Sequence, residues 1–194
     1  MKLILGSQSP SRRLALETAG YVFEEDFTLI SPDIDEKQIR HPDFRKLPML
    51  IAHAKADALV ERLGICANTL LITGDQVVEY NGQLREKPES EAEAREFLAS
   101  YRTGPAQTNS AVVVTNMETG IRASGIDIAM THFKYLPDEV INVLAVDEGI
   151  RNSAGAFLIE HEVMAPYIDY ISGDPDSVMG LPMGLVGQLI EAAR

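Results

Sequence analysis

The chain has 194 residues, of which 45% are hydrophobic and 24% are charged, and its formal net charge is −12. This length predicts a single domain spanning residues 1–194, and the hydrophobic content excludes a wholly disordered chain. No apolar run approaches the roughly 20 residues that cross a bilayer, and the apolar start is too short for a signal peptide. We therefore expect a cytoplasmic protein without membrane contacts.

The charge balance and the cysteine count narrow the range of partners. A wide nucleic-acid-binding surface needs an excess of cations, so a chain with 17 Lys and Arg against 29 Asp and Glu is not expected to bind nucleic acid. A small phosphorylated ligand is not excluded, because it responds to the local field. The single cysteine, Cys66, excludes an internal disulfide and any zinc site built from cysteines.

Hydrophobic periodicity, helix caps and turn residues predict alternating strands and helices. Strands are predicted at residues 2–5, 21–30, 69–74, 77–80, 83–86, 110–116, 121–134 and 156–160. Helices are predicted at residues 11–19, 47–63, 90–99, 136–146 and 185–193. The turns Asn81-Gly82 and Glu118-Thr119-Gly120 join neighbouring strands as hairpins. The pattern predicts an α/β fold with a mixed sheet flanked by helices.

A first candidate site follows the opening strand, at Gly6-Ser7-Gln8-Ser9-Pro10. Ser9 fits a helix N-cap and Pro10 the first helical position. Free backbone N–H groups at a helix start bind anions, and the guanidinium of Arg12 matches phosphate oxygens. The alternative is an ordinary helix cap followed by two surface arginines, Arg12 and Arg13. The P-loop and dinucleotide-binding fingerprints are absent.

A second candidate is Asp75, which comes directly after the predicted strand 69–74. Ligands of open α/β sheets gather outside the carboxyl ends of strands, where a carboxylate can hold a metal or activate a water. The alternative is a turn aspartate that caps a bend.

A third candidate combines carboxylates and lysines. Asp33, Asp35 and Glu36 could complete a Mg²⁺ site. Lys55 lies in the middle of a predicted helix and Lys87 follows the first hairpin. Each lysine taken alone is also compatible with a solvated surface charge.

Seven segments carry a resemblance to a known family. They are Leu3-Ile4-Leu5-Gly6-Ser7-Gln8-Ser9-Pro10-Ser11-Arg12-Arg13, Asp33-Ile34-Asp35-Glu36, Ala54-Lys55-Ala56, Gly74-Asp75-Gln76-Val77-Val78, Glu86-Lys87-Pro88, Ala154-Gly155-Ala156 and Ser177-Val178-Met179-Gly180-Leu181-Pro182. In this order and spacing they resemble the Maf family of nucleotide pyrophosphatases over nearly the whole chain, and its eukaryotic members most closely.

This resemblance implies a fold similar to that of inosine-triphosphate pyrophosphatases, with the active site in a central cleft. It implies hydrolysis of a nucleoside triphosphate to the monophosphate and pyrophosphate with a divalent cation, Mg²⁺ or Mn²⁺. Homodimers are common in the family. A nucleotide-binding regulator of cell division and septum formation, without significant turnover, is the alternative function.

The resemblance also assigns roles to individual residues. Asp75 is the implied general base and, with Asp35 and Glu36, a metal ligand. The implied substrate-binding residues are Ser7, Arg12, Arg13, Lys55 and Lys87.

Three further positions, Ser11, Gln76 and Glu160, are implied to select the base. The branch that acts on dTTP and UTP usually has Arg, Thr and Gln there, whereas the branch that acts on 7-methyl-GTP usually has Trp, Gln and Glu. Gln76 and Glu160 match the second branch and Ser11 matches neither. The resemblance therefore favours 7-methyl-GTP or a related modified nucleotide.

Overall fold

The computed structural model describes residues 2–194. These residues form the strands β1 (Lys2–Gly6), β2 (Phe27–Leu29), β3 (Thr69–Tyr80), β4 (Gln83–Arg85), β5 (Ala106–Asn116), β6 (Arg122–Phe133) and β7 (Ile168–Ser172). The α-helices are α1 (Pro10–Thr18), α2 (Lys46–Leu63), α3 (Glu91–Ser100), α4 (Asp138–Val146), α5 (Glu148–Arg151), α6 (Pro175–Val178) and α7 (Met183–Ala193).

The strands form one mixed sheet in the order β2-β1-β3-β5-β6-β7, and β4 pairs with β3 beside this path. The pairs β2–β1 and β1–β3 are parallel, and all others are antiparallel. The prediction of an α/β fold with a mixed sheet is confirmed. Both predicted hairpins are present, with the Asn81-Gly82 turn between β3 and β4 and a second turn between β5 and β6.

The central strand β3 changes partners along one of its edges. Its first part pairs with β1 as far as Thr73, and pairing with β4 starts at Val78. Between these points residues 74–77 have no strand partner on this edge within residues 2–194, while β5 covers the other edge. We call this gap in strand pairing, at the end of β1, the cleft.

The position of Asp75 relative to its strand corrects the prediction. We expected the strand to end at Gly74, but β3 continues through Asp75 to Tyr80. Pairing with β5 holds both halves in one strand, because residues 70–79 are matched residue by residue with β5. Asp75 lies just beyond the end of β1, not of its own strand.

Alternation along β3 sends neighbouring side chains to opposite faces of the sheet. On one face, Ile72 packs in a cluster with residues of α1 and α7, including Leu16 and Val186. On the other face, the Thr73 hydroxyl donates a hydrogen bond of 2.9 Å to the Ala52 carbonyl of α2. The cleft is therefore reached from α1 on one side and from α2 on the other.

Two predicted strands differ in the structure. Residues 21–30 keep only Phe27–Leu29 as a strand, because a tight turn with Glu24 at a φ of +68° interrupts the segment. Residues 156–160 form no strand, since Gly155 and Ala156 both have positive φ and close a 3-10 turn. Three of the named strands and helices were not predicted, namely β7 and the short helices α5 and α6.

None of the helices within residues 2–194 combines the length and the apolar content needed to cross a membrane.

Candidate active site

The end of β1 and the first turn of α1 position Ser7 and Arg12. Ser9 caps α1 by accepting a hydrogen bond from the Arg12 backbone N–H, and Pro10 stands at the start of the helix, as predicted. The Ser7 hydroxyl accepts a 3.1 Å hydrogen bond from the Ser9 backbone N–H. The local sequence therefore turns the chain so that Ser7 and Arg12 both lie buried at the cleft.

The Arg12 guanidinium is held by two neutral acceptors. Its Nη1 donates to Ser7 Oγ at 3.2 Å and its Nε donates to the Gly180 carbonyl at 3.0 Å. Burial lowers the pKa of Arg12, and the nearby Asp75 and Glu36 partly oppose this. The ion pairs within residues 2–194 include none to Arg12. A buried guanidinium that lacks a carboxylate partner is suited to an anionic ligand.

Lys55 reaches the cleft from α2, on the other face of the sheet. Its Nζ lies 2.8 Å from Asp75 Oδ1, 2.9 Å from Glu36 Oε1 and 3.3 Å from the Gly74 carbonyl oxygen. The Lys55 and Asp75 side chains are both buried, whereas the Glu36 side chain is 48% exposed. The alternative of a solvated Lys55 is therefore wrong, because α2 directs this side chain inward.

Asp75 is a buried carboxyl group between two cations. Burial raises the pKa of Asp75, and the charges of Lys55 and Arg12 counteract this rise. Its Oδ2 accepts no hydrogen bond from residues 2–194, whereas Oδ1 is held by Lys55. A positioned carboxylate with one free oxygen can orient a water and accept its proton.

The loop that contains α6 closes the cleft from a distant part of the sequence. Gln76 Nε2 donates to the Val178 carbonyl at 2.7 Å, and Ser110 Oγ donates to the Ser177 carbonyl at 2.8 Å. Gly180 has a φ of +88°, and its carbonyl accepts from Arg12. Sequence reasoning assigned no role to this loop, although the segment from Ser177 to Pro182 was part of the family resemblance.

Two of the three positions that the family resemblance connects with base selection meet in space. The Ser11 hydroxyl on α1 donates a hydrogen bond to the Glu160 carboxylate, which belongs to a turn that precedes β7. Ser11 is partly buried and Glu160 is exposed, so the pair lies at the molecular surface, in a place that we call the rim. Gln76 lies on the sheet and faces the loop with α6. A carboxylate at such a rim can accept hydrogen bonds from ring and amino N–H groups of a base.

Several predicted site residues lie apart from the cluster formed by Ser7, Arg12, Lys55, Asp75 and Glu36. The guanidinium of Arg13 pairs with Glu17 at 2.8 Å and lies over the Phe23 ring. Asp35 accepts from Lys37 N and Gln38 Nε2. Asp33 pairs with Arg62. The Lys87 side chain is exposed and has no hydrogen bond within residues 2–194.

Whether a divalent cation fits this site depends on how many carboxylates come together there. Within residues 2–194 no three His, Cys, Asp or Glu side chains form a metal-binding group. However, Glu36 Oε1 and Asp75 Oδ1 both contact a single cation, the Lys55 ammonium. Mg²⁺ is often bound by one or two carboxylates together with substrate phosphates. Glu36 and Asp75 therefore fit such a cation, whereas Asp35 is not brought to them.

Gly180 offers a test of the loop that holds Arg12. A Cβ at this position would lie 2.4 Å from Gln76 Oε1 and 3.1 Å from Arg12 Nε, and the positive φ disfavours alanine. We expect Gly180→Ala to lower the free energy of unfolding by about 1–3 kcal/mol and to displace both side chains. Thermal unfolding followed by circular dichroism measures the stability. Calorimetry measures the nucleotide Kd, which should rise if the Arg12 side chain is displaced.

The matched control is Gly184→Ala in α7, where an added Cβ has no neighbour within 4 Å. This variant should be as stable as the natural chain or more stable, because alanine favours helix over glycine by up to about 1 kcal/mol. Equal stability of the two variants would contradict the packing argument at Gly180.

Known proteins are similar in sequence to this chain over nearly its whole length. A family model described as "Maf-like protein" matches residues 2–193. A 7-methyl-GTP pyrophosphatase from Dictyostelium discoideum is 42% identical over 193 residues, which cover 97% of this chain and 95% of that protein. A dTTP/UTP pyrophosphatase from Porphyromonas gingivalis is 32% identical, covering 95% and 90%. A solved HAM1 protein from Coxiella burnetii covers 68% of this chain and 73% of its own at 14% identity, with a TM-score of 0.38.

Proposed function

Because this chain belongs to the Maf-like protein family, we propose that it hydrolyses nucleoside triphosphates to the monophosphate and pyrophosphate. It is an enzyme that acts on acid anhydrides. The observation that carries the proposal is the buried cluster of Ser7, Arg12, Lys55 and Asp75 at the opening of the sheet. This cluster places cations beside a carboxylate that has a free oxygen, the arrangement that hydrolysis of a triphosphate requires.

Binding of the triphosphate depends on the cations of the cleft. Two unit charges 4 Å apart interact by roughly 4 kcal/mol at an effective dielectric constant near 20. The chain carries a net charge of −12, so local cations must overcome its overall repulsion of the substrate. In the proposal, Arg12 and the N–H groups at the start of α1 hold phosphate oxygens. The family resemblance adds Lys87, an exposed side chain, to the phosphate-binding residues.

In the proposed hydrolysis, Asp75 Oδ2 orients a water molecule and accepts its proton as the water oxygen attacks the α-phosphorus. The bond between the α-phosphorus and the bridging oxygen breaks, and pyrophosphate leaves with the bonding electron pair. A divalent cation bound by Glu36 and Asp75 would neutralise phosphate charge and stabilise the leaving group. Raising the pKa of Asp75 by burial makes this carboxylate a stronger base than an exposed aspartate.

For the base, we propose 7-methyl-GTP or a related modified nucleotide as the preferred substrate. Support comes from Gln76 and Glu160, and from the hydrogen bond by which Ser11 orients the Glu160 carboxylate. A carboxylate accepts two N–H groups from one edge of a guanine, whereas it meets a carbonyl oxygen at the corresponding edge of thymine or uracil.

A nucleotide panel tests both parts of the proposal. The protein is incubated with 7-methyl-GTP, GTP, dTTP and UTP in the presence of Mg²⁺ or Mn²⁺, and pyrophosphate and phosphate are assayed separately. We expect pyrophosphate from 7-methyl-GTP at a kcat/KM at least about tenfold above that for dTTP or UTP, because a hydrogen bond to a charged group such as the Glu160 carboxylate is worth about 1.5–3 kcal/mol. Nucleotide binding without product would instead support a regulator without turnover.

The isosteric variant Glu160→Gln tests whether Glu160 sets the base preference. It removes one charge at the rim and leaves Asp75, Arg12 and Lys55 in place. The ratio of kcat/KM for 7-methyl-GTP to that for dTTP should fall by about tenfold or more, since a pairing with a charged acceptor is worth about 1.5–3 kcal/mol. An unchanged ratio would show that Glu160 does not select the base.

A further inference from the structure

The ammonium group of Lys55 lies among oxygen atoms of its own protein in this structure. An ammonium carries three N–H donors. Its three neighbours are Asp75 Oδ1 at 2.8 Å, Glu36 Oε1 at 2.9 Å and the Gly74 carbonyl oxygen at 3.3 Å. Asp75 Oδ1 and the Gly74 carbonyl oxygen accept hydrogen bonds from the ammonium group, and Glu36 forms an ion pair with it. To move to a phosphate, the ammonium group has to give up some of these contacts.

The same two carboxylates are the oxygens that fit a divalent cation. Mg²⁺ lies about 2.0–2.1 Å from its oxygen ligands. An ammonium nitrogen 2.8 and 2.9 Å from Asp75 and Glu36 occupies the space between these carboxylates. A metal ion and the ammonium group exclude each other there by size and by charge. The position between the carboxylates therefore holds one cation at a time.

The surroundings allow one of the two cations to replace the other. Lys55 has a flexible four-carbon stem anchored on α2, while Asp75 is fixed in the middle of β3. Glu36 is 48% exposed and stands at the start of a 3-10 turn in the loop between β2 and α2. An anionic phosphate nearby would offer the ammonium group a new partner, and a metal would then satisfy the carboxylates it leaves.

We propose that Lys55 is an internal counter-cation that occupies the metal position between Glu36 and Asp75 until a nucleotide binds. A divalent metal consequently enters with the nucleotide and binds poorly to the free protein. The coupling is reciprocal. Lys55 weakens metal binding by the same free energy by which a bound metal destabilises Lys55 in this position. The proposal rests on the nucleotide and metal binding of the proposed function, but its test requires no hydrolysis.

The experiment measures Mn²⁺ binding to the nucleotide-free full chain by electron paramagnetic resonance and calorimetry. Lys55→Met and Lys55→Gln both remove the ammonium charge, and the glutamine amide can still donate hydrogen bonds to the carboxylates. We expect both variants to bind Mn²⁺ at least about tenfold more tightly than the natural chain, within the usual range of coupling between sites. Mn²⁺ should also raise the Tm of the variants more than that of the natural chain.

The matched control is Lys37→Met, which removes the same charge one residue from Glu36 on an exposed side chain. It should leave the Mn²⁺ affinity within about threefold of the natural chain, as expected for an exposed charge. If Lys55→Met does not fold, Lys55→Gln decides. Mn²⁺ affinities in the Lys55 variants no higher than in the natural chain would overturn the proposal, even if the natural chain releases pyrophosphate. If the Lys55 variants bind Mn²⁺ more tightly but the natural chain releases no pyrophosphate, the cation exchange is supported and the proposed function is contradicted.

Discussion

Replacing Asp75 by Asn should lower kcat for pyrophosphate release by at least about 10²- to 10⁴-fold, the usual contribution of a general base. The amide fills the same space but cannot accept the proton of the attacking water. Nucleotide binding should change little, because Arg12 and Ser7 remain in place. The measurements are kcat from initial rates of pyrophosphate release and the nucleotide Kd from calorimetry.

The Asp75→Asn chain should still fold. Burial raises the pKa of Asp75, so the neutral amide avoids a desolvated charge, and Lys55 keeps its contact with Glu36. A stability change of about 1 kcal/mol moves Tm by about 2–4 °C in a chain of this size, and we expect a shift within that range. The matched control is Asp169→Asn on the exposed surface of β7, which should retain full activity. An active Asp75→Asn chain would eliminate Asp75 as the base.

The second large effect is expected at Arg12. Arg12→Lys should lower kcat/KM by about 10²- to 10³-fold, the usual loss when one donor to a developing negative charge is removed. Lysine keeps the charge but carries its three N–H donors on a single nitrogen in place of a planar fork. That nitrogen cannot take the positions of both Nε and Nη1, which contact the Gly180 carbonyl and Ser7, and still hold a phosphate. The readout is the split of the loss between kcat and KM.

The same exchange at the next residue is the control. Arg13→Lys alters the contacts with Glu17 and Phe23 on the surface of α1 and should change kcat/KM by less than about threefold. The two adjacent arginines are chemically identical, so any difference arises from where the helix directs them. Equal losses in the two variants would contradict the anion site at the start of α1.

The sequence reached most of the cluster in the cleft through local signals. Ser9 and Pro10 predicted the start of α1, and the helix start then explains why Arg12 can turn back toward Ser7. The apolar run before Asp75 predicted the buried strand that carries this residue. These signals act within a few residues, where caps, turns and alternation restrict the backbone.

The predicted end of the strand before Asp75 and the predicted strand at residues 156–160 were wrong because contacts between distant segments outweigh local preference there. The strand through Asp75 continues because β5 pairs with both of its halves. Residues 156–160 have strand-like composition, but Gly155 and Ala156 bend the chain at the apolar cluster. Such effects depend on which segments meet, and a window of sequence carries no information about that.

By itself, the sequence determined the alternation of strands and helices, the capped start of α1 and the absence of an internal disulfide. Only the tertiary structure decided that Lys55 turns inward, that Arg13 turns away and that Glu36, not Asp35, joins Asp75. The physical reason is distance along the chain. Arg12 and Gly180 are 168 residues apart and Ser11 and Glu160 are 149 apart, so packing of the whole sheet is needed to bring each pair into hydrogen-bond contact.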